Sequence, residues 1–408
     1  MVSDSLHTTP LVPRQTPRNA PRQAGKSPRT TRQLTHIAAA RLLPSFCILA
    51  SHLSFEKVFK DPGVQEVYYR IFNPSGFNSV SFFIVLSGFI LTWISANRPP
   101  GRGFVARRLL RILPVHFLTW AVVVCAFSSM FTGPGLFATL TLLQGWFPDH
   151  AVYWAANAPA WTLSTELVLY AMFPAVYRYL SRRTDRALFL VLGLLVAVVV
   201  LLPAALQALP DGAKFANAAF TERGHLVSVS EWKYWLVYVF PLTRVVEALC
   251  GMVVCLLVLR GRWTRNVLLP TALLVLAVVV EELWAPILLT LSALTIVPIV
   301  LLIGALAAKE AAGWSTDASA APQGLPTRAV ARVSAYGTYT FGIYMYQWAF
   351  ILVCQRYLRP WGNGTATGVL LVVAFYAVCV AVSILSSRYV ETPVNRFTKP
   401  AITAYEKR

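Results

Sequence analysis

The chain has 408 residues, 56% of them hydrophobic and only 13% charged, where an ordinary globular protein is roughly a quarter charged. This excludes a conventional soluble fold, because the apolar residues gather in long blocks such as Phe189 to Leu209, Val267 to Val280 and Ile287 to Ala308. Crossing about 30 Å of hydrocarbon takes roughly twenty such residues. The formal net charge of +19 does not describe a nucleic-acid groove, since the arginines sit in short clusters between apolar blocks, the bias of cytoplasmic membrane loops.

Residues 1–33 alternate Arg14, Arg18, Arg22, Lys26, Arg29 and Arg32 with prolines and hold few large apolar side chains. Such a segment buries too little surface to offset its ordering entropy and is expected to be disordered. An all-α transmembrane domain is expected over 34–397, followed by a short cytoplasmic tail over 398–408. Ten spans are predicted within it, at about 36–55, 79–97, 109–131, 161–180, 187–209, 235–259, 266–281, 284–308, 334–357 and 367–387. Arginine clusters between the second and third, fourth and fifth, and sixth and seventh spans put both termini in the cytoplasm, whereas 132–160 has no Lys or Arg. The stretch 132–160 reads as a loop that lines a site or dips into the membrane, and 309–333 as a flexible linker.

Ionisable residues inside a span are costly and mark function by default. The first span carries Arg41 and His52, eleven residues apart. That spacing puts both on one helix face, roughly 16 Å apart along the axis. Pro44 between them is expected to kink the helix. The plainer alternative is that Arg41 snorkels to one interface and His52 reaches the other. The third span opens with Arg107-Arg108-Leu109-Leu110-Arg111, and two guanidinium groups three residues apart suit phosphate as well as the positive-inside bias. His116 in the same span reads as a packed polar residue. The fourth opens Trp161-Thr162-Leu163-Ser164-Thr165-Glu166 with Tyr170 one turn on. Glu166 falls at a depth like that of His52. A carboxylate beside an imidazole fixes its tautomer and raises its basicity, as a general base requires, though Glu166 could equally bridge two helices structurally. If the pair works together, the first and fourth spans pack side by side, with the two groups within about 10 Å, the outer reach of a water bridge. The six cysteines fall inside apolar runs and read as small hydrophobes, and no ligand cluster has metal-site spacing.

These motifs together resemble the acyltransferase-3 family of integral-membrane O-acyltransferases. The resemblance rests on Arg41 and His52, Phe82-Phe83-Ile84-Val85-Leu86-Ser87-Gly88-Phe89, Arg108 to Pro114, Trp161 to Tyr170, and Arg388-Tyr389-Val390-Glu391-Thr392-Pro393, in order along nearly the whole chain. It departs where the family often has His: here Gln347 follows Tyr344-Met345-Tyr346, and Gln cannot take a proton. The phrase before Arg41 departs as well. The resemblance implies a bacterial inner-membrane enzyme moving an acyl group onto a hydroxyl, and the wording around 80–93 and 163–174 looks most like the branch acylating macrolide and ansamycin antibiotics. Cell-surface carbohydrate is the other acceptor class implied. It further implies His52 and Glu166 as catalytic residues, Arg41, Arg108 and Arg111 as the grip on acyl-coenzyme A, and Trp161, Ser164, Tyr170, Tyr344 and Gln347 at the substrate. Acyl-coenzyme A enters as co-substrate, with no resident cofactor or metal. An acyl-enzyme on Ser164 would need a base that the sequence does not pair with it. The rival class, a transporter of a hydrophobic compound, would show an inverted repeat or paired broken helices, and neither is visible.

Overall fold

A computed structural model describes residues 34–127, 133–215, 229–312, 325–358 and 361–407. The basic tail 1–33 lies outside these. Among the described residues the chain is helical throughout, the extended pairings being isolated bridges such as Phe59 to Asn363. Among the described residues, six helices are long and apolar enough to cross a membrane. Each of the ten predicted spans overlaps helix, though several are broken or shifted.

The first span divides into α1 (Thr35–Ala40) and α2 (Leu42–Ser54). Pro44 has no N–H to give the Ala40 carbonyl, so the helix is interrupted at Arg41. The second, α3 (Pro62–Ser95), begins well before the predicted 79. Asp61 caps it by accepting from the Val64 N–H at 2.9 Å, and Pro62 supplies a preset first turn. Then come α4 (Phe104–Phe127), α5 (Gly133–Leu140) and the short α6 (His150–Tyr153), so the expected 132–160 loop is partly folded into helical turns. After α7 (Trp161–Ser181) and α8 (Asp185–Gln207), the turn α9 (Glu231–Tyr234) leads through one π-helical turn into α10 (Pro241–Leu259). The predicted span 284–308 is interrupted: α11 (Leu268–Leu283) is followed by α12 (Ile287–Thr290) and α13 (Ile296–Ala312). The flexible linker expected over 309–333 is a correction in part, since α13 runs to Ala312 and α14 starts at Leu325 and ends at Tyr336. Its middle lies outside the described residues. Then follow α15 (Thr340–Val353), α16 (Thr365–Ser386) and α17 (Thr392–Lys407), which turns the expected tail into helix.

Two helices form the centre. In α3 and in the span ending with α10, 78% and 72% of the most apolar stretch is buried, against 22% in α8 and 28% in the span containing α16, which therefore face lipid. Leu190, Leu194, Val198 and Leu201 recur at helical spacing along the exposed side of α8. The backbones of α3 and α10 approach so closely that a Cβ on Gly88 would strike the Ala248 carbonyl, and one on Gly251 the Val85 carbonyl. Pairwise packing closes a ring in the order α2, α3, α10, α7, α4, α15 and back to α2. Residues from this ring line the cavities described next.

Candidate functional site

The ring holds two chambers. The smaller, about 160 Å³, is lined by Arg41, Arg108, Arg111, Ser87, Glu166 and Tyr170 among apolar neighbours. Arg111 stands exposed at its mouth, while Arg41 and Arg108 are half-buried. Arg41 lies within electrostatic reach of Arg111, and Arg108 within reach of Glu166. The Arg108 guanidinium also lies 5.6 Å over the Phe104 ring, which fixes its direction. One carboxylate answers three guanidinium groups, so the chamber favours a polyanion. Glu391, from the C-terminal motif, is close enough to Arg111 to act on it electrostatically.

The larger chamber, about 450 Å³, falls in the size range of small-molecule sites. Its walls are aromatic, with Phe77, Trp154, Trp161, Tyr234, Tyr238 and Trp348, and His52 faces into it. The His52 ring meets Trp348 edge-on, centroids 5.4 Å apart, and its Nδ1 is buried with no hydrogen-bond partner. Nδ1 is thus an unengaged ring nitrogen beside the chamber. Ile48, Val80 and Tyr344 line both chambers and form their common wall. The Tyr344 hydroxyl donates to the Pro159 carbonyl at 2.8 Å and lies 3.2 Å from the Thr162 hydroxyl.

Arg41, Arg108 and Arg111 are therefore brought together as expected, and Arg41 and His52 both face the ring interior. His52 and Glu166 are not side by side. Their helices α2 and α7 sit three places apart in either direction around the ring, on opposite sides of it, and the two residues line different chambers. Glu166 instead accepts from the Ser87 hydroxyl at 2.5 Å. Trp161, Tyr170 and Tyr344 line chamber walls. Ser164 lines neither: it is buried, gives its hydroxyl to the Leu142 carbonyl at 2.7 Å and accepts from the Gly145 N–H at 3.2 Å. Gln347 is buried too, its amide donating to the Tyr344 carbonyl at 3.1 Å. His116 is fully buried and lines neither chamber, as a core histidine.

Sequence reasoning missed several of the buried polar groups around this ring. Ser87 lay inside a quoted motif with no role. Arg244, three residues before Glu247 on α10, is 1% exposed and pairs with Glu247 at 2.5 Å and with the Ser81 hydroxyl at 3.2 Å. Its guanidinium also lies 4.8 Å from the Tyr238 ring centre, behind the aromatic wall. Asn78 donates to Glu281 at 2.6 Å and accepts from Thr295 at 2.7 Å, tying α3 to α11 and to the residue before α13. The i,i+3 spacing of Arg244 and Glu247 inside an apolar run was the readable signal.

Comparison with known proteins agrees with this geometry. The acyltransferase-3 family profile, described as an acyltransferase domain, matches residues 36–388. Acyltransferase MdmB of Streptomyces mycarofaciens is 28% identical over 395 residues, covering 92% of this chain and 96% of that protein. The exopolysaccharide production protein ExoZ of Rhizobium meliloti (strain 1021) is 32% identical over 106 residues, 24% of this chain and 33% of that protein. No solved structure gives a significant match. With a match running from the first span to the end of the last, and all the motif residues at or around one ring of helices, the chain belongs to the acyltransferase-3 family of membrane O-acyltransferases.

Proposed function

We propose that the protein transfers an acyl group from acyl-coenzyme A to a hydroxyl of a secondary metabolite such as a macrolide or ansamycin. The observation that carries this reading is the shared wall at Ile48, Val80 and Tyr344, with three arginines on one side and a free imidazole on the other. The arginine chamber faces the cytoplasm of a bacterial inner membrane, in keeping with the positive-inside rule. Arg41, Arg108 and Arg111 hold the donor phosphates by charge-assisted hydrogen bonds. The pantetheine arm runs past the common wall, so the thioester comes to rest near His52.

In the reaction, the acceptor hydroxyl loses its proton to a His52 ring nitrogen as its oxygen attacks the thioester carbonyl. The C–S bond then breaks, the ester stays on the acceptor, and the coenzyme A thiolate leaves and takes the proton back as a thiol. The reaction as drawn uses no resident metal or cofactor. The aromatic walls suit the apolar face of a sugar or macrocycle that carries the hydroxyl. A polysaccharide acceptor is the second reading, supported by the local similarity to the exopolysaccharide production protein.

The test is incubation of the purified protein with acyl-coenzyme A and a hydroxylated macrolide, following free thiol and the acceptor's mass together. Thiol release matched mole for mole by acylated acceptor is the expected result. Thiol release with no acylated product, or acylation without thiol release, would overturn the acceptor or the donor assignment respectively.

A further inference from the structure

We propose that Asp149, His150 and Glu231 bind one divalent cation of the zinc class at the edge of the aromatic chamber. The sequence has no metal-site spacing because the fold joins two segments 81 residues apart, the α6 turn and the start of α9. One ligand atom from each residue lies within 4.8 Å of the others. His150 Nδ1 is 2.8 Å from Glu231 Oε1, and the two side chains are only 23% and 16% exposed. Asp149 uses one carboxylate oxygen to cap α6 through the Ala151 N–H at 2.8 Å, leaving the other free.

Two further observations point to a cation. First, the charges do not balance within the protein: among the described residues neither carboxylate is paired with a lysine or arginine. The nearby Lys233 is committed to Asp211 at 2.7 Å and to the Leu209 carbonyl at 2.6 Å. Secondly, the Tyr153 hydroxyl is fully buried, has no hydrogen-bond partner, and lies within electrostatic reach of both Asp149 and Glu231. That hydroxyl is a buried donor in want of an acceptor. A water on the ion supplies one. An imidazole with two carboxylates suits zinc better than calcium or magnesium, which prefer all-oxygen shells, and three protein ligands leave a position for that water. The ion would clip Trp154 and Tyr234, which follow the two ligand segments and line the aromatic chamber, into one wall.

The competing account is a staple in which His150 Nδ1–H merely donates to Glu231. Untagged full-length protein in detergent, stripped with chelator and desalted, distinguishes the two. Titration with Zn²⁺ alone, followed by metal content after desalting and by thermal unfolding, should show one equivalent retained and a saturable rise in Tm. His150→Ala and Glu231→Gln should each weaken zinc binding by more than about tenfold. Glu231→Gln keeps an acceptor for the His150 backbone N–H, so its zinc-free Tm should stay near that of the parent. Absence of saturable zinc binding by the unmodified protein overturns the proposal, whatever the variants do. So does zinc binding that persists unchanged in a folded His150→Ala protein.

Discussion

The arginine chamber and the aromatic chamber share a wall yet are built on opposite principles. One is small, about 160 Å³, and carries three cations; the other is nearly three times larger, about 450 Å³, and carries aromatic rings and one imidazole. Helix choice explains the contrast. The start of α4 is rich in arginine and contributes only to the first chamber, whereas Trp154 to Pro159 before α7 and Tyr234 and Tyr238 before α10 contribute only to the second. The first span reaches both, since Arg41 and His52 stand eleven residues apart on one face. The arginines and the imidazole are thereby kept in separate chambers, and a molecule touching both must pass Ile48, Val80 and Tyr344.

Substitutions that act on one chamber alone test this division. The largest effect is expected from His52→Ala: turnover should fall by more than about 100-fold, the scale of general-base catalysis, with the donor KM little changed. Near-normal turnover in a well-folded variant would sink the general-base role. Arg108→Ala and Arg111→Ala come next. Charge-assisted contacts are worth about 1.5–3 kcal/mol, so each should raise the KM for acyl-coenzyme A by about tenfold or more and leave the acceptor KM alone. A change confined to the acceptor KM would reverse the assignment of the two chambers. Glu166→Gln sharpens the comparison further. It keeps an acceptor for Ser87 but removes the one carboxylate lining the arginine chamber, so anion binding should strengthen and the donor KM should drop a few-fold. A turnover loss like that of His52→Ala, with a shifted pH profile, would instead restore Glu166 as the partner of His52 across the wall.

The helical membrane class and all three arginines were legible in the sequence because spans announce themselves by apolar length and buried charge by its rarity there. The early start of α3 was not. Gln65, Glu66 and Arg70 make its first turns too polar for a span-length search, and only Asp61-Pro62, a capping signal, announced it. The proposed closeness of His52 and Glu166 rested on equal depth, but depth says nothing of azimuth. Two residues at one level of a six-helix ring can still stand across it. The Asp149, His150 and Glu231 cluster was invisible for a related reason, since it needs two loops to meet.

Ser164 gives the smallest expected effect on turnover and the clearest test of what the motif around Glu166 does. Its position two residues from Glu166 invites an acyl-serine, yet its hydroxyl is spent on Leu142 and Gly145. Leu142 sits at φ 60°, in the left-handed region that a non-glycine residue adopts at a cost. Ser164 is thus a strut that holds the strained turn after α5 against α7. Ser164→Ala should cost about 1–3 kcal/mol of stability, the range for leaving a buried hydrogen-bonding group unmet, and should change turnover by no more than about twofold once the protein is folded. Thermal unfolding reads the first quantity and single-turnover kinetics the second. Intact-mass measurement after mixing with donor alone adds a direct check: an acyl adduct that disappears in Ser164→Ala would make the serine a nucleophile and the strut a secondary role.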